Sequence, residues 1–195
     1  MVALSSKSLL VLPAALVACL WQDGGQEPGG HAGHGHAPME AAEEVRSAVA
    51  VLTTVGESGV TGVVRFERQG DAVRVTGEVR GLSPGLHGFH VHQYGDLTDR
   101  EKGASAGDHF SPAAMPHGRP TDHDRHVGDL GNLEANESGV ARLDITDSVI
   151  RLNGPHAIVG RALVVHEKED RFVQPTGDAG GRVAFGVVGI APSEE

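Results

Sequence analysis

A period-two alternation of apolar and polar side chains is the feature that most restricts what this chain can become. In Asp71 to Val79, Val73, Val75 and Val79 alternate with Arg74, Thr76 and Glu78. Ala141, Leu143 and Ile145 alternate with Arg142, Asp144 and Thr146 in the same way. Successive side chains of a strand point to opposite faces, so each segment predicts a strand with one face in a core and one in water. Further strands are expected at Ala48 to Thr54, Thr61 to Arg68, Gly88 to His92, Ile158 to Val165 and Val183 to Ile190. Gln69-Gly70, Ser83-Pro84-Gly85 and Glu137-Ser138-Gly139 supply turn signals between strands. No long helical periodicity appears, and 28 glycines in 195 residues suit many turns. The expected class is all-β, a sandwich or barrel whose core rests on Val, Leu, Ile and Ala. Residues 93 to 138 and 167 to 181 break the rhythm, and loops of that length usually carry function or are held by a ligand.

The N-terminal end reads differently. Residues 1 to 18 carry Lys7 and then the apolar run Leu9 to Ala18. That run is shorter than the roughly 20 residues a membrane helix needs, so a cleaved signal peptide is expected. Leu16-Val17-Ala18-Cys19 resembles a bacterial lipobox, which would make Cys19 a lipidation site; ordinary signal cleavage is the alternative. Residues 19 to 45 are rich in Gly, Pro, Ala, Glu and His and read as a flexible tether. His31, His34 and His36, with Met39, have the donor chemistry of an auxiliary metal site, against the alternative of a solvated linker. The domain proper is expected over residues 46 to 195. A net charge of -10 argues against nucleic-acid binding, and leaves a lipid anchor at Cys19 as the expected route to a membrane.

Twelve histidines stand against a single cysteine, which cannot form an intrachain disulfide. His90 and His92 form an H-x-H pair whose side chains share one face of a strand. The long loop adds His109, His117, His126 and Asp129, and His166 follows the apolar run Ala162 to Val165. A site of neutral imidazoles suits Cu(II), and three imidazoles with one carboxylate suit tetrahedral zinc. Two four-coordinate sites need eight ligand positions from these seven residues, so one histidine using both ring nitrogens would complete the count. Spacing alone does not say which.

Gly85-Leu86-His87-Gly88-Phe89-His90-Val91-His92 resembles the signature of copper/zinc superoxide dismutases. So do Ser105 to Pro112, His126 to Asn132 and Leu163 to Lys168, within a resemblance running from about Ala48 to Ala191. The resemblance implies a Greek-key β-sandwich or flattened barrel of about eight antiparallel strands with two long functional loops. The activity it implies is conversion of superoxide to oxygen and hydrogen peroxide by copper redox cycling, with a structural zinc. By position, it assigns copper to His90, His92, His109 and His166. Zinc falls to His109, His117, His126 and Asp129, with His109 as the bridge. Asp170 resembles the carboxylate that orients one ligand of each metal, and Arg182 the arginine that draws superoxide to copper. His87 resembles a histidine that supports the loops. Gly103 and Phe185 stand where the family has a disulfide. Gly154 to Gly160 and Val187 to Ala191 resemble dimer-forming edges of eukaryotic-type members, so a homodimer is an expectation, as is an extracytoplasmic location. The competing function is a copper- and zinc-buffering lipoprotein, against which Arg182 argues, since storage needs no anion-attracting arginine.

Overall fold

The computed structural model describes residues 44–193. Eight strands form: β1 (Ser47–Thr54), β2 (Thr61–Gln69), β3 (Ala72–Arg80), β4 (Gly85–Val91), β5 (Asp129–Ala135), β6 (Val140–Asp147), β7 (Ala162–His166) and β8 (Arg182–Ile190). One 3₁₀ turn, Ala104–Ala106, is the only helical element among the described residues. The expectations for the leader, Cys19, His31, His34, His36 and Met39 lie outside the described residues.

All pairings are antiparallel, in the order β1-β2-β3-β6-β5-β4-β7-β8, and β8 returns to β1 to close a barrel. The β3–β4 connection crosses β6 and β5, and the β6–β7 connection crosses β5 and β4, the Greek-key pattern the resemblance implies. Closure leaves no free sheet edge. The seam between β5 and β6 is thin, resting on the single pair Ala135↔Ala141.

The alternation determines which side chains enter the barrel. Ala48, Ala50 and Leu52 of β1 join Val64, Phe66, Val73, Val75, Val79 and Val188 in one core. The β3 alternation skips at Gly77 because a Cβ there would lie 2.4 Å from the Val63 carbonyl oxygen on the facing strand. Two expectations need correcting. β5 lies inside the segment read as loop through residue 138. Leu130, Leu133 and Ala135 are buried, but Gly131, at φ +83°, slips the register by one residue, so a strict period-two reading misses the strand. β7 starts at Ala162 rather than Ile158, because Ile158 to Arg161 form a turn closed by the Arg161 N–H on the Ile158 carbonyl.

Candidate metal centre

Phe89 and Val91 of β4 point into the core, so His90 and His92 point out through the barrel wall. On β7, Leu163 and Val165 point inward and His166 follows on the outer face. The two long loops cover this outer face. His90, His92, His109, His117, His166, Asp129 and Asp170 are therefore buried without entering the barrel core.

Two irregularities in the strands bring these residues together. Between β4 and β5 the register shifts so that His90 faces Asp129. Between β7 and β8 a second shift places His166 opposite Arg182. Bulges commonly re-aim side chains beside active sites, and here each acts on a residue of the cluster. His92, one residue beyond β4, is paired with His109 in an isolated bridge that ties the first loop to the strand.

Hydrogen bonds fix which ring nitrogens remain available. His92 Nδ1–H donates to the Gly107 carbonyl at 2.9 Å, and His166 Nδ1–H donates to the Gly180 carbonyl at 3.2 Å. Their Nε2 atoms are left facing each other at 3.3 Å. His90 Nε2–H donates to Asp170 at 2.8 Å, so its buried Nδ1 is left without a partner. Burial pushes His92 well below the ordinary histidine pKa, His109 down to about 4 and His166 down to about 3. Neutral rings at pH 7 thus turn lone pairs toward one point. Such an arrangement is repulsive unless a cation occupies it.

The second cluster surrounds Asp129. One of its oxygens lies 2.8 Å from His109 Nδ1 and 3.1 Å from His126 Nδ1; the other lies 3.0 Å from His117 Nδ1. Burial opposes ionisation of Asp129, but its three histidine partners outweigh burial and hold it far below the usual carboxylate range. Burial likewise opposes a charged His117, and Asp129 and Asp170 together outweigh it, raising the ring to about 9. His117 Nδ1 nevertheless has no aligned hydrogen-bond partner. The position calls for a positive charge, as a proton or as a metal ion.

His109 belongs to both groups. Ligand atoms of His90, His92, His109 and His166 all lie within 4.8 Å of one another, and so do those of His109, His117, His126 and Asp129. The His109 ring centroid is 4.1 Å from that of His90 and 5.2 Å from that of His117. Asp170 links the groups from behind, accepting from His90 Nε2 at 2.8 Å and His117 Nε2 at 2.9 Å. It is fully buried and not the solvated loop acid its neighbours Glu169 and Arg171 would suggest.

Beside the first group lies a cavity of about 330 Å³ lined by His92, His109, His166, Asp108, Asp178 and Arg182, among others. Arg182 Nη1 donates to the Gly103 carbonyl and Nη2 to the Gly107 carbonyl. Of the remaining histidines, His87 bridges the Ser83 and His166 carbonyls, a purely structural link. His123 is exposed beside Asp124, and His156 meets the Val149 carbonyl in a turn.

The sequence reading did not single out several supporting groups. Asn132 clamps the Asp170 backbone through both its N–H and its carbonyl. Gln174 does the same for His117. Buried Arg125 pairs with Asp147 and donates to the carbonyls of His126 and Asp129. Asn132 sits inside a motif that carries the resemblance, which could have flagged it. Gln174 and Arg125 leave no local signal, because their partners are distant or are backbone atoms.

The copper/zinc superoxide dismutase (SODC) family matches residues 60–188. An extracellular copper/zinc superoxide dismutase of Brugia pahangi is 45% identical over 158 residues, covering 75% of this chain and 78% of the relative. A copper/zinc superoxide dismutase of Onchocerca volvulus is 48% identical over 156 residues, covering 74% and 96%. The crystal structure of the clock protein EA4 superposes with a TM-score of 0.72 at 44% identity, covering 78% of this chain and all of that one. This chain belongs to the copper/zinc superoxide dismutase family. It is an enzyme of superoxide dismutation whose cofactors are copper and zinc.

Proposed function

We propose that His90, His92, His109 and His166 hold the catalytic copper and that His109, His117, His126 and Asp129 hold a structural zinc. The observation that carries this assignment is the membership of His109 in both clusters, with Nδ1 turned to Asp129 and its ring centroid 4.1 Å from that of His90. Copper, when bound, supplies an ion with two accessible oxidation states, and zinc supplies a fixed positive charge. His109 then has Nε2 as the atom that takes up a proton and delivers it to the departing peroxide. Its other nitrogen stays fixed on the zinc side, so the ring turns over protons without losing its orientation. Asp170 keeps His90 and His117 in the tautomers that direct Nδ1 at the metals. Arg182 supplies the positive charge that attracts superoxide into the cavity, against a chain of net charge -10.

Our reading includes a homodimer and an extracytoplasmic location. Val51, Tyr94, Val187 and Ile190 are exposed apolar side chains, with Val51 and Val187 on the paired strands β1 and β8. An apolar group of this kind suits a partner copy. The N-terminal leader, and the extracellular relative in Brugia pahangi, support export; Cys19 is the proposed lipid anchor.

The decisive experiment measures superoxide dismutation and metal content of the purified protein loaded with copper and zinc, beside His90→Ala and Arg182→Ala. Copper-dependent turnover abolished by the first change and slowed by the second supports the assignment. Stoichiometric binding of both metals without turnover would refute it and favour metal buffering.

A further inference from the structure

A second hydrophobic cluster lies apart from the barrel core. It comprises Val55, Ala106, Ala162, Val164 and Phe185, with partly buried Leu97 packed against it. Ala162 and Val164 alternate with the core residues Leu163 and Val165, so this cluster sits on the outer face of the wall. Phe185 is its one large side chain, 1% exposed, and it stands on β8 opposite Val164 of β7 and Thr53 of β1. Leu97 and Ala106 belong to the first long loop. The cluster is therefore the apolar contact between that loop and the β7–β8 wall.

The same loop holds Arg182. The carbonyls that accept from its guanidinium, Gly103 and Gly107, flank the 3₁₀ turn containing Ala106. Gly103 is at φ +70°, and a Cβ there would lie 3.2 Å from Arg182 Cδ and 3.6 Å from Val55 Cγ2. The left-handed Gly103 thus lies close to both the arginine stem and a valine of the same cluster. The position of the guanidinium is set by two backbone carbonyls whose segment is pinned between them by Ala106. The one cysteine is Cys19, so no intrachain disulfide does this work.

We propose that Phe185 is a positioning residue for Arg182: its ring pins the first loop to β8, and the loop's carbonyls then aim the guanidinium into the superoxide cavity. The inference rests on the proposed role of Arg182. Without the ring, the turn loses its apolar seat, the carbonyls of Gly103 and Gly107 gain freedom, and the arginine samples orientations away from the cavity. The cluster is built from apolar residues and contributes no ligand to either metal group, so metal binding is expected to survive the loss of the ring.

The test uses the full-length protein loaded with copper and zinc, with kcat/KM for superoxide measured across ionic strength and metal content measured alongside. Phe185→Ala is expected to lose about tenfold in kcat/KM at low salt, within the 10- to 1,000-fold range that focusing fields supply, and to show a flatter salt dependence. Phe185→Leu keeps kcat/KM within about twofold, since it refills most of the seat. Leu97→Ala, on the loop side of the cluster, moves both readouts in the same direction as Phe185→Ala and serves if that variant does not fold. In an Arg182→Ala background, either truncation has no further effect. An equal loss in both backgrounds, loss of activity that tracks loss of metal, or an unaltered salt dependence would overturn the proposal for Phe185. An Arg182→Ala protein with wild-type kcat/KM would instead overturn the role of Arg182.

Discussion

Replacing Asp170 by Asn tests the link between the two metal groups. Its two oxygens accept from His90 Nε2–H at 2.8 Å and His117 Nε2–H at 2.9 Å, and one of them also accepts the Phe172 N–H. An amide of the same shape has one acceptor end and one donor end. Whichever way it turns, one imidazole N–H meets an N–H. That ring relieves the clash by changing tautomer, which puts its proton on Nδ1, the atom directed at the metal. Leaving a buried donor unpaired costs about 1–3 kcal/mol. Loss of a partner that orients a metal ligand typically costs 10- to 100-fold in affinity, or about 1.4–2.7 kcal/mol. Asp170→Asn should therefore weaken one centre by about that factor while leaving the fold intact, and Asp170→Ala should weaken both. Chelator competition, with copper and zinc quantified separately, reads the two centres independently. An Asn variant that binds both metals at wild-type affinity would refute the tautomer argument, because it would show that neither ring depends on the carboxylate.

Asp108 lines the cavity with Arg182, so Asp108→Asn should raise kcat/KM about two- to fivefold at low salt, the effect of one unit charge through a largely aqueous dielectric. The gain should shrink near 0.15 M salt in a stopped-flow or pulse-radiolysis series. Arg125→Met strands buried Asp147 and two loop carbonyls, so it should cost about 3–5 kcal/mol in denaturant unfolding. The metal-free protein should lose stability below pH 6.5, because the unfolded chain protonates its histidines there while His109 and His166 resist until about 4 and about 3. His166 alone accounts for on the order of 5 kcal/mol between pH 6.5 and 3, and a urea series across that range checks it. His117 has the opposite sign: raised to about 9, its contribution is fully present below pH 6.5 and is lost as pH rises from there through 9, so stability should peak near pH 6.5 and fall on either side.

What the sequence made legible divides along a physical line. Alternation at Val73, Val75 and Val79 exposed β3 because a half-buried strand must show it. Gly131 hid β5, since one left-handed residue shifts the period that such a reading depends on. His90 and His92 could be read as a pair because a strand guarantees that i and i+2 share a face. That this face lies outside the barrel follows only from pairing with β5 and β7, which no local pattern records. The resemblance placed Arg182 beside copper, whereas its anchor is two carbonyls from the distant loop at Gly103 and Gly107, and backbone atoms leave no trace in composition.

The same distinction explains why so much of this site is invisible to a ligand list. A neutral imidazole offers one lone pair, and the hydrogen bond at its other nitrogen decides which atom carries it. Here Gly107 and Gly180 make that choice for His92 and His166 through backbone carbonyls, so the acceptor is not a side chain that a ligand search would find. His90 is different, because its choice falls to the Asp170 side chain, which itself depends on Asn132 for its place. Under the proposed assignment, substitutions at His92 and His166 therefore act directly, by removing a copper ligand. His90 has a second point of failure at position 170 and a third at 132, and an Asn132→Ala variant should weaken metal binding without touching a ligand. Unchanged affinity for both metals in that variant would mean that the turn from Asp170 to Phe172 holds itself in place.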